Sequence, residues 1–299
     1  MIPRLREFVK RQPNRSPETE RESLPDPGIA SLRNGLIAVI LPMLVVMLAT
    51  AWFRSTDADL AVCRQFYSHH GNEWPLGQHP LSQALYHYGP WPALAIGIGG
   101  LGIAILGLFL KQLQKYISGG LFLAGVLALG PGLIIFAVSK PAWNRPRPCL
   151  VREFGGRYDF VPVGDWGERQ DSKSFPSGHA AMGFYLITPA FLLYRRRRRW
   201  AIGFLVLGLA YGMLIGGVRI AQGGHFPSDV LWSAAIIYFS AVFLHIAWQC
   251  IARHLGERLS NERSAQALIF VLLNCFPRSP QGESRRSRQE PRSVRREAI

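Results

Sequence analysis

Acidic residues are scarce in this chain. Asp and Glu number 19 against 34 Lys and Arg in 299 residues, for a formal net charge of +15. No cluster of carboxylates is spaced to hold a metal ion. The four histidines of the first polar loop, His69, His70, His79 and His87, have no Cys or carboxylate at a familiar ligand distance. Neither a metal nor another cofactor is therefore expected. No internal repeat is visible, and no soluble basic module stands apart. The positive charge thus points to anionic lipid headgroups and away from nucleic acid. No cleavable leader pattern opens the chain. Residues 1–34 are polar, mixed in charge and punctuated by Pro3, Pro13, Pro17, Pro25 and Pro27. They read as a flexible cytosolic arm, and the first apolar run as an uncleaved signal.

What is present is apolar and collected into long runs almost free of charge, the signature of spanning helices. Hydrophobic residues make up 48% of the chain. Six spans are expected, near 35–53, 91–110, 119–139, 179–194, 200–218 and 229–250. Most approach the roughly 20 residues that cross about 30 Å of hydrocarbon; the fourth is short. Gly130-Pro131-Gly132 should kink the third.

With six spans, four basic segments fall on one side: the amino-terminal arm, Lys111–Lys115, Arg195–Arg199 and the Arg-rich tail. Excess Lys and Arg mark the cytoplasm. Loops 54–90, 140–178 and 219–228 are then external. The first is read as a lid or interfacial loop, with Trp74 and Tyr86 near the headgroups. The expected domains are the arm 1–34, a membrane domain 35–251 and a basic cytosolic tail 252–299. Within the tail, 265–276 is too short to span and suits an interfacial helix; the end of the chain should be disordered. Cys63 and Cys149 both lie in external loops, where a disulfide is chemically possible. Cys250 and Cys275 should remain reduced. The sequence assigns no oligomeric state.

Three polar clusters interrupt this scaffold. The first is Lys140-Pro-Ala-Trp-Asn-Arg-Pro-Arg147-Pro148, with its cations at a helix exit stiffened by prolines. Arg offers planar bidentate bonds to phosphate oxygens, and Lys offers a point charge. The second is Pro176-Ser177-Gly178-His179 at the seam between a polar loop and an apolar run. Gly178 frees the backbone for positive φ or a close approach to a ligand. Ser177 and the first helical N–H groups form an anion site. The third is Arg219-Ile-Ala-Gln-Gly-Gly-His225-Phe-Pro-Ser-Asp229. A helix beginning near Pro227 lets the Asp229 carboxylate reach one nitrogen of His225 and leaves the other free to attack. Asp229 would also cap that helix.

In order and internal spacing these clusters resemble the three signatures of the type 2 phosphatidic acid phosphatase superfamily. They are Lys140 with Arg147-Pro148, then Pro176-Ser177-Gly178-His179, then Arg219 with His225 and Asp229. One departure is Val218, where that superfamily usually has Ser. The resemblance implies an all-α, six-helix integral membrane bundle with its active site at the external, periplasmic face of a bacterial inner membrane. It implies His225 as the nucleophile, forming a phosphohistidine, Asp229 as its orienting group and His179 as the acid and then the base. Lys140, Arg147, Ser177, Gly178 and Arg219 would hold the phosphate. The chemistry implied is metal-independent hydrolysis of a membrane lipid phosphate or diphosphate. Glu153-Phe-Gly-Gly-Arg157 resembles the lipid A phosphatases of the superfamily. Phosphatidylglycerophosphate, phosphatidic acid and undecaprenyl diphosphate remain alternative substrates, and lipid phosphotransfer an alternative reaction.

Overall fold

The computed structural model describes residues 27–258 apart from 72 and 168–172, with side chains absent from the description at 27–35 and 252–258. The expected arm, the 265–276 patch and the end of the tail lie wholly or mainly outside these residues. The chain divides into two compact units, Met1–Val45 and Val46–Ile299. Of the first, only a helical stretch from Pro27 is described; it is the beginning of α1 (Pro27–Ser55). Apart from the beginning of α1, everything below concerns the second unit.

Among the described residues the architecture is all-helical, with two isolated bridges and no strand. After α1 come α2 (Ala58–Arg64), α3 (Pro80–Tyr88) and α4 (Trp91–Phe109). Then follow α5 (Ile117–Leu127), a π-helical stretch Ala128–Ser139 and a final turn, α6 (Lys140–Trp143). Pro131 lies inside the π-helical stretch. Its ring removes an N–H from the ladder, so the backbone changes hydrogen-bond register there. Where the sequence predicts a kink in the third run, the helix is wound as a π segment.

Five apolar helical segments are long enough to cross a membrane: Leu36–Ser55, Pro80–Phe109, Lys111–Leu150, Arg198–Ala221 and Pro227–Ile251. The fourth expected span is Gly178–Leu193, a shorter apolar helix. It is built from α7 (Gly178–Phe184), a 3-10 turn Tyr185–Ile187 and α8 (Thr188–Leu193). At 1.5 Å per residue it reaches only about 24 Å. Its residues are almost all buried by protein, so it need not match the hydrocarbon thickness. Around it stand α9 (Arg198–Ala221) and α10 (Pro227–Arg258). Both begin or end a few residues beyond their expected limits.

Small residues bring these helices together. A Cβ at Gly183 would sit 2.8 Å from the Gly212 Cα, and one at Gly208 would sit 2.5 Å from the Ile187 nitrogen. This is close small-residue packing, suited to helices that gain little from excluding water. It fixes α9 against α7, and so fixes Arg219 at the end of α9 relative to His179 at the start of α7. An apolar core of Leu60, Cys63, Tyr67, Ile135, Phe154, Phe184, Phe226 and Ile237 closes the end of the helices where the connecting loops meet.

Candidate active site

At that end the three sequence clusters converge. Lys140 stands at the first position after the π-helical stretch. Arg147 is extended and precedes a short 3-10 turn. The fields of Lys140, Arg147 and Arg219 all act on the His179 imidazole, and those of Lys140, Arg219 and Asp229 act on His225. Residues more than 80 positions apart in sequence therefore share one electrostatic neighbourhood. Lys140 Nζ also lies 3.4 Å from the Lys173 carbonyl.

Ser177 is the N-cap of α7, and its hydroxyl oxygen accepts the Ala180 N–H at 3.3 Å. Its own N–H donates to the Asp229 carbonyl at 3.4 Å, and its carbonyl accepts the Ser233 hydroxyl at 2.8 Å. Gly178 does not use positive φ. A side chain there would instead come within 2.7 Å of the Phe136 ring, so the close approach it permits is to Phe136 of the π-helical stretch.

His179 stacks on Tyr86 of α3, with ring centroids 4.5 Å apart and an interplanar angle of 20°. The Arg219 guanidinium lies over the same Tyr86 ring at 4.7 Å. It also donates to the Gln222 side chain, and Gln222 in turn donates to the Ser82 carbonyl of α3. Tyr86, expected near the headgroups, thus lies at the centre of the site, in contact with both His179 and Arg219. Trp74, the other aromatic expected near the headgroups, is half-buried. It packs on Gly223, whose φ of +66° gives the turn between α9 and α10 a left-handed residue. A side chain at that position would strike the indole. Together Tyr67, Trp74 and Phe154 form a mutually packed aromatic set beside this turn.

Helix α10 begins at Pro227, as the proline predicts. Asp229 is then its third residue, and Oδ2 accepts the Phe226 N–H at 2.9 Å, the return bond of a capping box. The same oxygen accepts the Ser174 hydroxyl at 2.6 Å. His225 Nδ1 lies 3.6 Å from it, in contact but beyond hydrogen-bond length. Both residues are buried, His225 at 1% exposure and Asp229 at 0%. Burial pushes the His225 imidazole down to about 3, overriding the opposing pull of Asp229, with the Arg219 and Lys140 charges adding to the depression. His225 is therefore neutral at neutral pH, the form in which an imidazole nitrogen carries a free lone pair.

Sequence reasoning gave no role at the site to Asp59, Ser174 or Tyr86, and counted Arg145 only as one of the cations of the first cluster. Arg145 is fully buried and donates to Asp229 Oδ1 at 2.6 Å and to Asp59 Oδ2 at 2.8 Å. A cation in a proline-rich run between two recognised ones was visible, but its partners were not. The suggested Cys63–Cys149 bridge does not form: both thiols are free, and Cys63 is packed into the apolar core. Burial, reinforced by the Asp59 charge, raises the Cys63 thiol well above its ordinary range, so it behaves as a small core hydrophobe. Among the described residues no group of three or more His, Cys, Asp or Glu side chains is arranged to hold a metal.

Apolar helices carrying a shared cluster of basic groups and imidazoles at one end define a membrane-embedded class of phosphoryl-handling proteins. Residues 119–253 match the model of the PAP2 superfamily. The chain is 30% identical over 205 residues to the lipid A 4'-phosphatase of Francisella tularensis subsp. novicida, covering 68% of this chain and 91% of that one. It is 31% identical over 121 residues to the lipid A 4'-phosphatase of Rhizobium leguminosarum, covering 40% of this chain and 51% of that protein. The lipid A 4'-phosphatase of Rhizobium etli is 32% identical over 121 residues, covering 40% and 46%. No solved structure gives a significant match. The chain belongs to the PAP2 superfamily and is a membrane phosphatase, a phosphoric ester hydrolase.

Proposed function

We propose that this phosphatase removes a phosphate monoester from lipid A at the periplasmic face of a bacterial inner membrane. The observation that carries this reading is the convergence of Lys140, Arg147 and Arg219 with two imidazoles at one end of an apolar helical bundle. A lipid phosphate in the outer leaflet rests at that depth, and relatives named lipid A 4'-phosphatase make lipid A the first candidate.

His225 Nε2 attacks phosphorus, because Nδ1 faces Asp229. The phosphorus–oxygen bond to the sugar breaks, and His179 gives its proton to the departing oxygen. Asp229, 3.6 Å from Nδ1 in the free enzyme, closes on Nδ1–H during the reaction and offsets the positive charge that the imidazole gains. Water then attacks the phosphohistidine, His179 takes its proton, and the phosphorus–nitrogen bond breaks. Lys140, Arg147 and Arg219, with Ser177 and the backbone N–H of Gly178, bind the equatorial oxygens throughout. Phosphoryl transfer needs positioning and neutralised charge above all, and three fixed cations supply both without a metal ion.

The membrane domain is 35–251, with Gly178–Leu193 as a sixth, protein-enclosed crossing. The basic segments around Lys111–Lys115 and Arg195–Arg199, like both termini, face the cytoplasm.

The test is phosphate release by purified protein from lipid A, phosphatidylglycerophosphate, phosphatidic acid and undecaprenyl diphosphate, without added acceptor. Lipid A is expected to turn over fastest, and His225→Ala to abolish release. Preference for a glycerolipid would replace the substrate, and loss of phosphate from the donor lipid only when an acceptor lipid is added, with the group recovered on that acceptor, would make the enzyme a phosphotransferase. Full activity in the His225 variant would remove the assigned nucleophile.

A further inference from the structure

Behind Asp229 lies a second buried carboxylate that the reaction above does not use. Asp59 of α2 is 1% exposed, and it lies 86 positions before Arg145 in sequence. Its Oδ1 accepts the Ser228 N–H at 2.9 Å, and its Oδ2 accepts the Ser228 hydroxyl at 2.6 Å and Arg145 Nη2 at 2.8 Å. Arg145 in turn donates Nη1 to Asp229 Oδ1 at 2.6 Å and to Ser228 Oγ at 2.8 Å, and Nε to the Val161 carbonyl at 2.8 Å. The Phe226 ring covers its guanidinium at 4.4 Å. The result is a line of charge: Asp59, Arg145, Asp229, His225.

Asp59 balances buried Arg145, but stability alone does not require the charged set: buried ions are costly to desolvate, and apolar residues of similar volume in place of the whole set often serve as well or better. A catalytic account does explain it. Were Arg145 paired with Asp229 alone, the two charges would cancel, and little field would remain to offset a positive charge on His225. Sharing the guanidinium between two carboxylates leaves the cluster one negative charge in excess. That excess matches the single positive charge His225 acquires as it bonds to phosphorus. The bonds to Asp59, Ser228 and Val161 also hold Arg145 on the Oδ1 side of Asp229. Oδ2 is then left to Ser174, to the Phe226 N–H and to the histidine.

We infer that Asp59, acting through Arg145, is a positioning residue for the Asp229–His225 pair, keeping Asp229 fixed and effectively anionic during phosphoryl transfer. This rests on the roles proposed for His225 and Asp229.

The experiment compares Asp59→Asn with wild type in detergent, in the Asp229 and the Asp229→Asn backgrounds, with elution profile and melting temperature recorded for each. In the Asp229 background kcat is expected to fall about tenfold with KM within about twofold, because the phosphate-binding cations are untouched. In the Asp229→Asn background the same change is expected to lower kcat by less than about twofold, since no carboxylate remains to be tuned. A purely structural Asp59 would give equal losses in both backgrounds, and that result overturns the inference. So does an unchanged kcat in the folded single variant. If Asp59→Asn does not accumulate as folded protein, Ser228→Ala takes its place; it loosens the same bridge without removing a charge. A severalfold lower kcat at constant KM, lost in the Asp229→Asn background, supports the inference, and wild-type kcat overturns it. Wild-type protein that releases no phosphate from any lipid in the panel would instead refute the proposed function.

Discussion

Asp229→Asn is the perturbation that separates charge from shape at this site. The amide is isosteric, but one carboxylate oxygen becomes an NH₂ donor. Facing Arg145, that NH₂ would oppose a guanidinium N–H at 2.6 Å. Facing the other way, it would oppose the Phe226 N–H at 2.9 Å; the Ser174 hydroxyl can turn and accept, but a backbone N–H cannot. Either orientation strands a buried donor, a cost of about 1–3 kcal/mol. Arg145 keeps Asp59, so the loss should stay at or near that range. The catalytic effect is larger. At 3.6 Å and an effective dielectric of about 20, a carboxylate and an imidazolium attract by about 4.6 kcal/mol. Only the part that develops in the transition state counts, so kcat should fall on the order of 10²–10³-fold. The assay is inorganic phosphate release from the preferred lipid, normalised to folded protein by melting curve. An Asn variant within about threefold of wild type would refute the claim that Asp229 stabilises charge on His225.

Three further outcomes are expected. The His225 imidazole should show no protonation near pH 6.5 in ¹⁵N NMR, because it sits at about 3 in the fold. Its ordinary value is 6.5, so the unfolded chain binds that proton first, and stability should decline as pH falls through 6.5, by on the order of 1.4 kcal/mol per unit down to about 3; an imidazole titrating at its ordinary value would contradict this. EDTA should leave phosphate release within about twofold, whereas vanadate, a trigonal-bipyramidal mimic of the transferring group, should inhibit it; a large loss restored by Mg²⁺ would end the metal-independent reading. Tyr86→Ala should lower kcat by roughly 10-fold, because His179 and Arg219 lose the ring that orders both; unchanged kcat and KM would make that stacking incidental.

The helical runs were legible because hydrocarbon thickness and backbone hydrogen bonding leave a spanning segment few options. Their ends fell within a few residues of α4, of α5 taken together with the π-helical stretch, and of α9. The three polar clusters were legible because each places charge where an apolar run stops. Relations between distant residues were less so. Asp59 meets Ser228 across 169 positions, and nothing in the residues around Asp59 announces that partner. Placing two cysteines on one side of the membrane did not bring their sulfurs together, since Cys63 faces the core of its own end of the bundle. Tyr86 and Trp74 carried an interfacial signal shared by every aromatic near a span end. The stacking of Tyr86 on His179 and the packing of Trp74 on Gly223 depend on how residues 74–88 fold back over α9, which local pattern does not encode.

The π-helical stretch in the third apolar run ends one residue before Lys140. The angular position of that ammonium is therefore set by how many residues the wider-wound segment holds. Each residue of an α-helix turns the chain by about 100°. Deleting one residue anywhere in Ala128–Ser139 would swing Lys140 around its own axis toward a neighbouring helix or the lipid, while leaving the run long and oily enough to insert. Such a deletion would yield a protein that is made, inserted and inert.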